Sequence, residues 1–317
     1  MIENIIETIQ EAKSIAILPH INMDGDAFGS VLALFNSLKN KSCELSLYVE
    51  EEPPTNLTFL PGADRAVLYK DSHKKQYDLV ISLDTADADR LGKRIKLFNE
   101  ANTTVNIDHH PTNTNYAKLN FVDADAGACG QILYDVIKRM GALDKDIATC
   151  LYTAISSDTG GFRFSNTKAS THNIAADLIN IGADSSSISM HLFEDVSINR
   201  LKITAYIIEH TDLYNDGKIA ITPLTREVKE KFGASDEDIN GFSNLGRSIR
   251  GVEVAVYIRE KEDGRLKISM RSKENVDVSK VAIKYGGGGH KRAAGFDYEG
   301  KMQDIIEELK KEFSKTL

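Results

Sequence analysis

The chain has 317 residues, 41% of them hydrophobic and 27% charged, and a formal net charge of -8. That length and apolar content support more than one domain with a buried core. The acidic balance excludes a global basic field able to hold long duplex nucleic acid by counterion release, so any nucleic-acid ligand is expected to be short.

The N-terminal MIENIIETIQEAK is an amphipathic, acidic helical pattern rather than a secretory signal, and no later stretch approaches the roughly 20 apolar residues of a membrane span. Four short apolar segments follow: SIAILPH (14–20), CELSLYVE (43–50), YDLVISLDT (77–85) and TTVNIDHH (103–110). Between them DAFGSVLALFNSLKNK and RLGKRIKLFNEA carry apolar residues at helical spacing. The repeated strand, helix, strand pattern predicts a doubly wound α/β domain with a parallel sheet. Ligands of such sheets bind beyond the carboxyl ends of the strands, and three of the four segments end in His or Asp. After Asp123 the pattern turns helical in GACGQILYDVIKRMG, DKDIATCLYTAISSD and STHNIAADLINIGA, and SINRLKITAYIIEHTDLY (197–214) reads as one long helix before NDG at 215–217. KIAITPL, VEVAVYIRE and RLKISMRSK then read as strands, and REVKEKFG, SKVAIKYG and MQDIIEELKKEF as helices, of a smaller α/β domain. The expected organisation is a first domain over 1–190, a helical linker over 191–216 and a second domain over 217–317, with a cleft between the domains.

The strand ends and helix turns carry His20, Asp24 and Asp26; Asp84 in SLDTADADR; Asp108, His109 and His110 in NIDHHP; and Asp158 in SSDTGGFRFS. Singly, Asp24 and Asp26 also fit a helix cap and first turn, and Asp84 a loop turn. Together, carboxylates and imidazoles without thiolate suit hard or borderline divalent ions such as Mn²⁺, Mg²⁺ or Co²⁺. One aspartate bridging two ions about 3.5 to 4 Å apart would create a site for in-line displacement at phosphorus. His73, His172, His191 and His210 lack such company and read as surface or satisfied histidines. Cys129 reads as a packed thiol rather than a nucleophile. Cys43, Cys129 and Cys150, scattered and without a CxxC pair, predict reduced thiols and a cytoplasmic protein.

The second domain holds KYGGGGHKRAAGF (284–296), where glycines let backbone N–H groups approach an anion and His290, Lys291 and Arg292 supply charge. RSK (271–273) and GRSIRG (246–251) add further cations, and Arg binds phosphate bidentately.

HINMDGDAFGS, SLDTADADR, the literal DHH at 108–110, SSDTGGFRFS and GGGGHKRAAG, as a set, resemble the DHH phosphoesterase superfamily with a C-terminal DHHA1 domain. Their order and spacing look most like its bifunctional oligoribonuclease and PAP phosphatase (nanoRNase, NrnA-type) branch, over nearly the whole chain. The resemblance implies two Mn²⁺ ions, with Mg²⁺ or Co²⁺ as substitutes: one held by His20, Asp24 and Asp84, the other by Asp26, Asp84, His109 and Asp158. It implies that His110 contacts the scissile phosphate, that Asp108 buttresses the histidines, and that Arg271, Ser272, Gly288, Gly289 and His290 grip the substrate's far phosphate or nucleotide. The implied substrates are very short RNA, dinucleotides or 3′-phosphoadenosine 5′-phosphate (PAP). A pApA or cyclic di-AMP phosphodiesterase shares every motif, and a non-catalytic nucleotide or RNA sensor is the alternative of another class. No membrane partner is expected. Polarity of attack and oligomeric state, a homodimer included, stay open in the sequence.

Overall fold

Residues 1–195 and 196–317 form two units in the computed structural model, which describes residues 1–72 and 75–317; His73 lies outside the described residues. In the first unit helix α1 (Ile2–Glu11) precedes β1 (Ser14–Leu18), α2 (Gly25–Leu38), β2 (Glu44–Val49), β3 (Ala66–Leu68), β4 (Leu79–Leu83), α3 (Ile95–Glu100), β5 (Thr103–Asp108) and β6 (Leu119–Val122). The six strands are all parallel, in the order β3-β2-β1-β4-β5-β6. Strand order reverses between β1 and β4, which makes their carboxyl ends the switch point of a doubly wound sheet. Both strands read as largely apolar runs, broken only by Ser14 and Ser82, because both of their faces are covered. The edge strands β3 and β6 are too short to show a pattern. The helix expected over 90–101 breaks at Gly92 (φ 57), leaving 3₁₀ turns and the short α3.

Helices α4 (Cys129–Arg139), α5 (Lys145–Asp158), α6 (Ala169–Ile181) and α7 (Ser185–Phe193) complete this unit. Helices α2 and α5 meet through Gly25 and Gly29. A Cβ on Gly29 would lie 2.6 Å from the Cys150 carbonyl oxygen and 3.1 Å from Ala154 Cβ, so only glycine permits this approach.

The second unit comprises α8 (Ile198–Glu209), β7 (Asp212–Tyr214), β8 (Ile219–Leu224), α9 (Arg226–Lys231), α10 (Ser243–Ser248), β9 (Val254–Glu260), β10 (Leu266–Ser272), α11 (Val278–Lys284), β11 (Gly288–His290), β12 (Ala293–Tyr298) and α12 (Met302–Ser314). The helix expected over 197–214 ends at Glu209. The His210 ring stacks on Tyr206, and residues 212–214 pair with β8 through a turn of Asn215, Asp216 and Gly217, all at positive φ. Ile203 and Ile207 of α8 pack with Leu224, Ile239, Phe242 and Tyr257, so this helix belongs to the second unit's core. The sheet order is β11-β12-β10-β9-β8-β7, antiparallel except for the β8–β9 pair. Among the described residues no helix is long and apolar enough to cross a membrane.

Candidate active site

The polar residues after the strands of the first sheet gather at its switch point. His20 follows β1. Asp24 caps α2, its Oδ1 accepting from the N–H groups of Asp26 and Ala27 at 3.0 Å each. Asp84 follows β4 in the left-handed region (φ 55), which non-glycine residues seldom occupy, and its N–H donates to the Ile107 carbonyl at 3.0 Å. Asp108 ends β5, with His109 and His110 just beyond, and Asp158 is the last residue of α5. The close approach of α2 to α5 is what carries Asp26 and Asp158 to the same histidine: His109 Nε2 lies 3.8 Å from each.

Three overlapping groups could each hold a cation: His20, Asp24 and Asp84; Asp26, His109 and Asp158; and Asp84, His109 and His110. Asp84 joins them. Its Oδ2 lies 3.6 Å from His20 Nε2 and its Oδ1 lies 3.4 Å from His109 Nε2. Asp84 is 2% exposed, yet Oδ1 accepts no hydrogen bond. Burial disfavours its charge, but His109 and His20 outweigh burial and hold the carboxyl well below the usual range. A buried ionised oxygen without a hydrogen bond is costly unless a charge lies beside it, and either a protonated His109, 3.4 Å away, or a cation bound with His109 would fill that place. The donor set, oxygen and imidazole nitrogen without thiolate, fits a divalent ion.

Electrostatics around this centre are strongly coupled. Burial opposes charging His109, but Asp84, Asp26 and Asp158 prevail and push its imidazole up to about 11. Burial, with the other carboxylates, raises Asp26 well above its ordinary value and Asp158 to about 6. Asp26 also sits at the start of α4, where its oxygens accept from Cys129 N–H (2.7 Å), Gly130 N–H (3.0 Å) and the Ser30 hydroxyl (3.1 Å). A helix N-terminus favours negative charge. The ring nitrogens turned away from the centre face carbonyls: His20 Nδ1 lies 2.7 Å from Ile21 O, and His109 Nδ1 lies 3.4 Å from Ala126 O. Such contacts leave Nε2 of each ring for a metal.

His110 is held differently. Its Nδ1–H donates to Asp108 at 2.7 Å, and Asp108 is fully buried. The other oxygen of Asp108 accepts from Asn113 Nδ2 at 2.6 Å. Asn113 is a residue that sequence reasoning missed, as are Asn166, whose Nδ2 donates to Asp158 Oδ2 at 3.1 Å, and Arg90, whose Nη2 lies 2.9 Å from His20 Nδ1. Asn113 had one usable signal, its place three residues after the last histidine of DHH. Cys129 is buried, its S–H donates to Ile107 O, and burial raises the thiol well above its ordinary value, so it is a packed thiol. The rings of His172 and His191 stack on Phe162 and Phe59, respectively.

In the second unit, register places Arg271, Ala293 and His290 directly opposite one another across β10, β12 and β11. Opposed residues share a face of the sheet, so the Arg271 and His290 side chains flank Ala293 on one side. Gly295 and Gly288 form the next row of that face, which makes a low shelf between the two cationic or polar side chains. Ser272, next along β10, points to the opposite face; it is 1% exposed and its hydroxyl donates to Val276 O at 2.7 Å. The second half of the glycine run, Gly288 and Gly289, lies in the edge strand β11. A Cβ on Gly289 would lie 2.5 Å from Ala293 O, whereas Gly288 faces open space.

Two family models match the chain: DHH family, N-terminal domain, over residues 14–155, and DHHA1 domain over residues 216–315. The chain is 32% identical over 312 residues to a bifunctional oligoribonuclease and PAP phosphatase NrnA of Thermus thermophilus, covering 95% of this chain and 91% of that one. The protein of the same name from Bacillus subtilis is 29% identical, over 92% of this chain and 91% of its own. Among solved structures, an exopolyphosphatase-related protein from Bacteroides fragilis superposes with a TM-score of 0.92 at 26% identity, covering 99% of this chain and 95% of that one.

Proposed function

The chain belongs to the DHH phosphoesterase family, with a DHHA1 domain, and is a hydrolase of phosphoester bonds; we propose that it cuts very short oligoribonucleotides to 5′-mononucleotides and removes the 3′-phosphate of PAP. The observation that carries this reading is Asp84, whose two buried oxygens face two separate donor groups, in a chain whose full-length relatives bear those two activities in their name. His20, Asp24 and Asp84 hold one Mn²⁺, and Asp26, Asp84, His109 and Asp158 hold the second, with Mg²⁺ or Co²⁺ as substitutes. When bound, such a pair lowers the pKa of water and clamps the attacking and leaving oxygens of an in-line displacement at phosphorus.

The protein's own residues do the rest. Asp108 fixes the tautomer of His110 by accepting from Nδ1–H, which leaves the far side of the ring to donate to a non-bridging phosphate oxygen as charge develops there. Arg271, Gly288, Gly289 and His290 hold the substrate's other phosphate or nucleotide, Arg271 through the fork geometry that suits phosphate, while Ser272 supports the strand from its buried face. A cytoplasmic setting suits the three free cysteines.

The test is turnover by the purified chain, with and without Mn²⁺, on short RNAs, PAP, pApA and cyclic di-AMP. Release of 5′-mononucleotides from RNAs of two to a few residues, together with dephosphorylation of PAP, supports the reading. Activity confined to pApA or cyclic di-AMP replaces it with a dinucleotide phosphodiesterase. Tight binding without turnover at saturating Mn²⁺ would make the protein a sensor.

A further inference from the structure

The 3₁₀ turns over Ala88–Arg94 bring two arginines beside the loop that carries His20, and the fold uses them differently. Arg94 is fully buried and spends its guanidinium on the carbonyls of Leu91 and Tyr48, at 3.1 and 3.0 Å. Arg90 is exposed, and its Nη2 lies 2.9 Å from His20 Nδ1. Its backbone is fixed on both sides: the N–H donates to Asp87 Oδ1 at 3.1 Å, and the carbonyl accepts from Ile21 N–H at 2.8 Å. Gly92 belongs to the same close approach, since a Cβ there would lie 2.8 Å from Ile21 Cγ2. Beside a centre dense in carboxylates, Arg90 forms no ion pair with any of them among the described residues; its side chain rests on the imidazole instead.

That contact is incompatible with a metal on His20. A ring nitrogen carries either a proton or a lone pair, and Nδ1 faces both an acceptor, Ile21 O at 2.7 Å, and a donor, Arg90 Nη2. When Nε2 serves as a metal ligand, the proton of the neutral ring sits on Nδ1 and donates to Ile21 O. The guanidinium then has no acceptor on the ring, while its backbone stays fixed beside the centre. Charge indicates its next partner. The carboxylates of the candidate cation groups, Asp24, Asp26, Asp84 and Asp158, match the charge of two divalent ions, which leaves the loaded centre without a net positive charge to attract a phosphodiester. We propose that Arg90 is a substrate-binding residue of the metal centre, whose guanidinium, released from His20 when the metal binds, holds a non-bridging oxygen of the scissile phosphate. The inference rests on the phosphohydrolase reading above. Arginine suits the task because its planar fork binds phosphate oxygens through parallel N–H···O bonds. His110 Nδ1 lies 3.7 Å from Oδ1 of Asp84 and His20 Nε2 lies 3.6 Å from Oδ2, so His110 and Arg90 stand toward opposite ends of the bridging carboxylate. The arrangement also orders binding, because Arg90 is engaged until the metal arrives.

Arg90→Gln and Arg90→Lys in the full chain test the proposal, and both keep the backbone bonds of residue 90. Calorimetric titration with Mn²⁺ is expected to show an affinity in Arg90→Gln that is undiminished or tighter, because the contact removed competes with the metal. Inorganic phosphate titrated into the Mn²⁺-loaded chain is expected to bind Arg90→Gln about tenfold more weakly, and kcat/KM to fall about tenfold to a hundredfold on short RNA and on bis-p-nitrophenyl phosphate alike, since both present a scissile phosphate. Arg90→Lys keeps the charge but not the fork and is expected to lie between parent and Arg90→Gln. Mn²⁺ affinity that falls in step with kcat/KM would make Arg90 a mere support for His20 and overturn the proposal. Undiminished phosphate binding in Arg90→Gln, or a loss confined to RNA, overturns it as well, the latter by moving the guanidinium to a remote part of the substrate. A parent that binds Mn²⁺ but neither binds phosphate nor hydrolyses any of these substrates refutes the phosphohydrolase reading itself, and the two failures are thereby told apart.

Discussion

Gly29→Ala tests whether helix packing, rather than the ligands alone, builds the metal centre. The new Cβ would lie 2.6 Å from the Cys150 carbonyl oxygen, and that oxygen belongs to the backbone of α5 and cannot rotate away. Overpacking of a tight core costs about 1–3 kcal/mol, while replacing glycine by alanine in a helix interior returns about 0.8–1.0 kcal/mol. The balance is a net loss of up to about 2 kcal/mol, and at the size of the first unit this lowers Tm by up to about 8 °C. The effect reaches the site because relief requires α2 and α5 to separate. Asp26 lies three residues before Gly29 on α2, Asp158 four residues beyond Ala154 on α5, and both stand 3.8 Å from His109 Nε2. Displacing groups that orient metal ligands typically costs 10–100-fold in affinity, so Mn²⁺ binding by calorimetry is expected to weaken at least tenfold. Thermal melts in chelator isolate the packing term. A Tm that rises, or a lower Tm with undiminished Mn²⁺ affinity, would refute the reasoning.

Asp84→Asn is expected to reduce bound metal from two ions per chain to one or none and to abolish hydrolysis, because a bridging carboxylate serves both ions; elemental analysis of the purified variant decides this, and two retained ions would remove Asp84 from the bridge. His110→Ala is expected to retain the parent's metal content while kcat falls about 10²–10³-fold, the usual loss for one transition-state donor; metal loss equal to that of His109→Ala would make His110 a ligand instead. Arg271→Ala is expected to lower kcat/KM for pApA about tenfold to a hundredfold, as a charged hydrogen bond is worth about 1.5–3 kcal/mol, and to leave bis-p-nitrophenyl phosphate unaffected; equal losses on both substrates count against the shelf. In chelator, His109 is raised from 6.5 to about 11 in the fold. Its charged form therefore stabilises the metal-free protein fully below 6.5, and this contribution is lost as pH rises through about 11. Melts across that range should show Tm falling, and a His109→Gln variant should show a smaller fall.

What the sequence reveals of this molecule follows from which forces act locally. The four central strands of the first sheet are legible because burial leaves short, largely apolar segments, nearly unbroken in β1 and β4 and interrupted by polar residues in β2 and β5, and the polar ends of β1, β4 and β5 point to the site through a general property of parallel sheets. The edge strands β3, β6, β7 and β11 are short, and their pairing is set by neighbours distant in sequence. In the sequence the glycine run shows only backbone able to approach an anion; nothing local announces that Gly288 to His290 form an edge strand, where a Cβ at Gly289 would collide with Ala293 of the facing strand. The resemblance groups Ser272 with Arg271 as a substrate contact, and the two-residue period of a strand puts the two side chains on opposite faces. Asn113 and Asn166 were missed for a related reason. Asparagine is ordinary in loops, and only the fold shows that each amide is spent on a carboxylate of the centre.

The protonation pattern explains how so many carboxylates coexist without a cation. In the metal-free chain a proton on His109, raised to about 11, balances the charge of Asp84, and burial with mutual repulsion raises Asp26 and Asp158 above their ordinary values. The proton at Nε2 of His109 occupies the lone pair a metal needs, because Nδ1 faces the Ala126 carbonyl. Protons and divalent ions are thus competitors for one set of atoms, and metal entry must release protons. The parallel strands, the α2–α5 contact at Gly29 and the start of α4 at Asp26 hold the shared set of ligand atoms together.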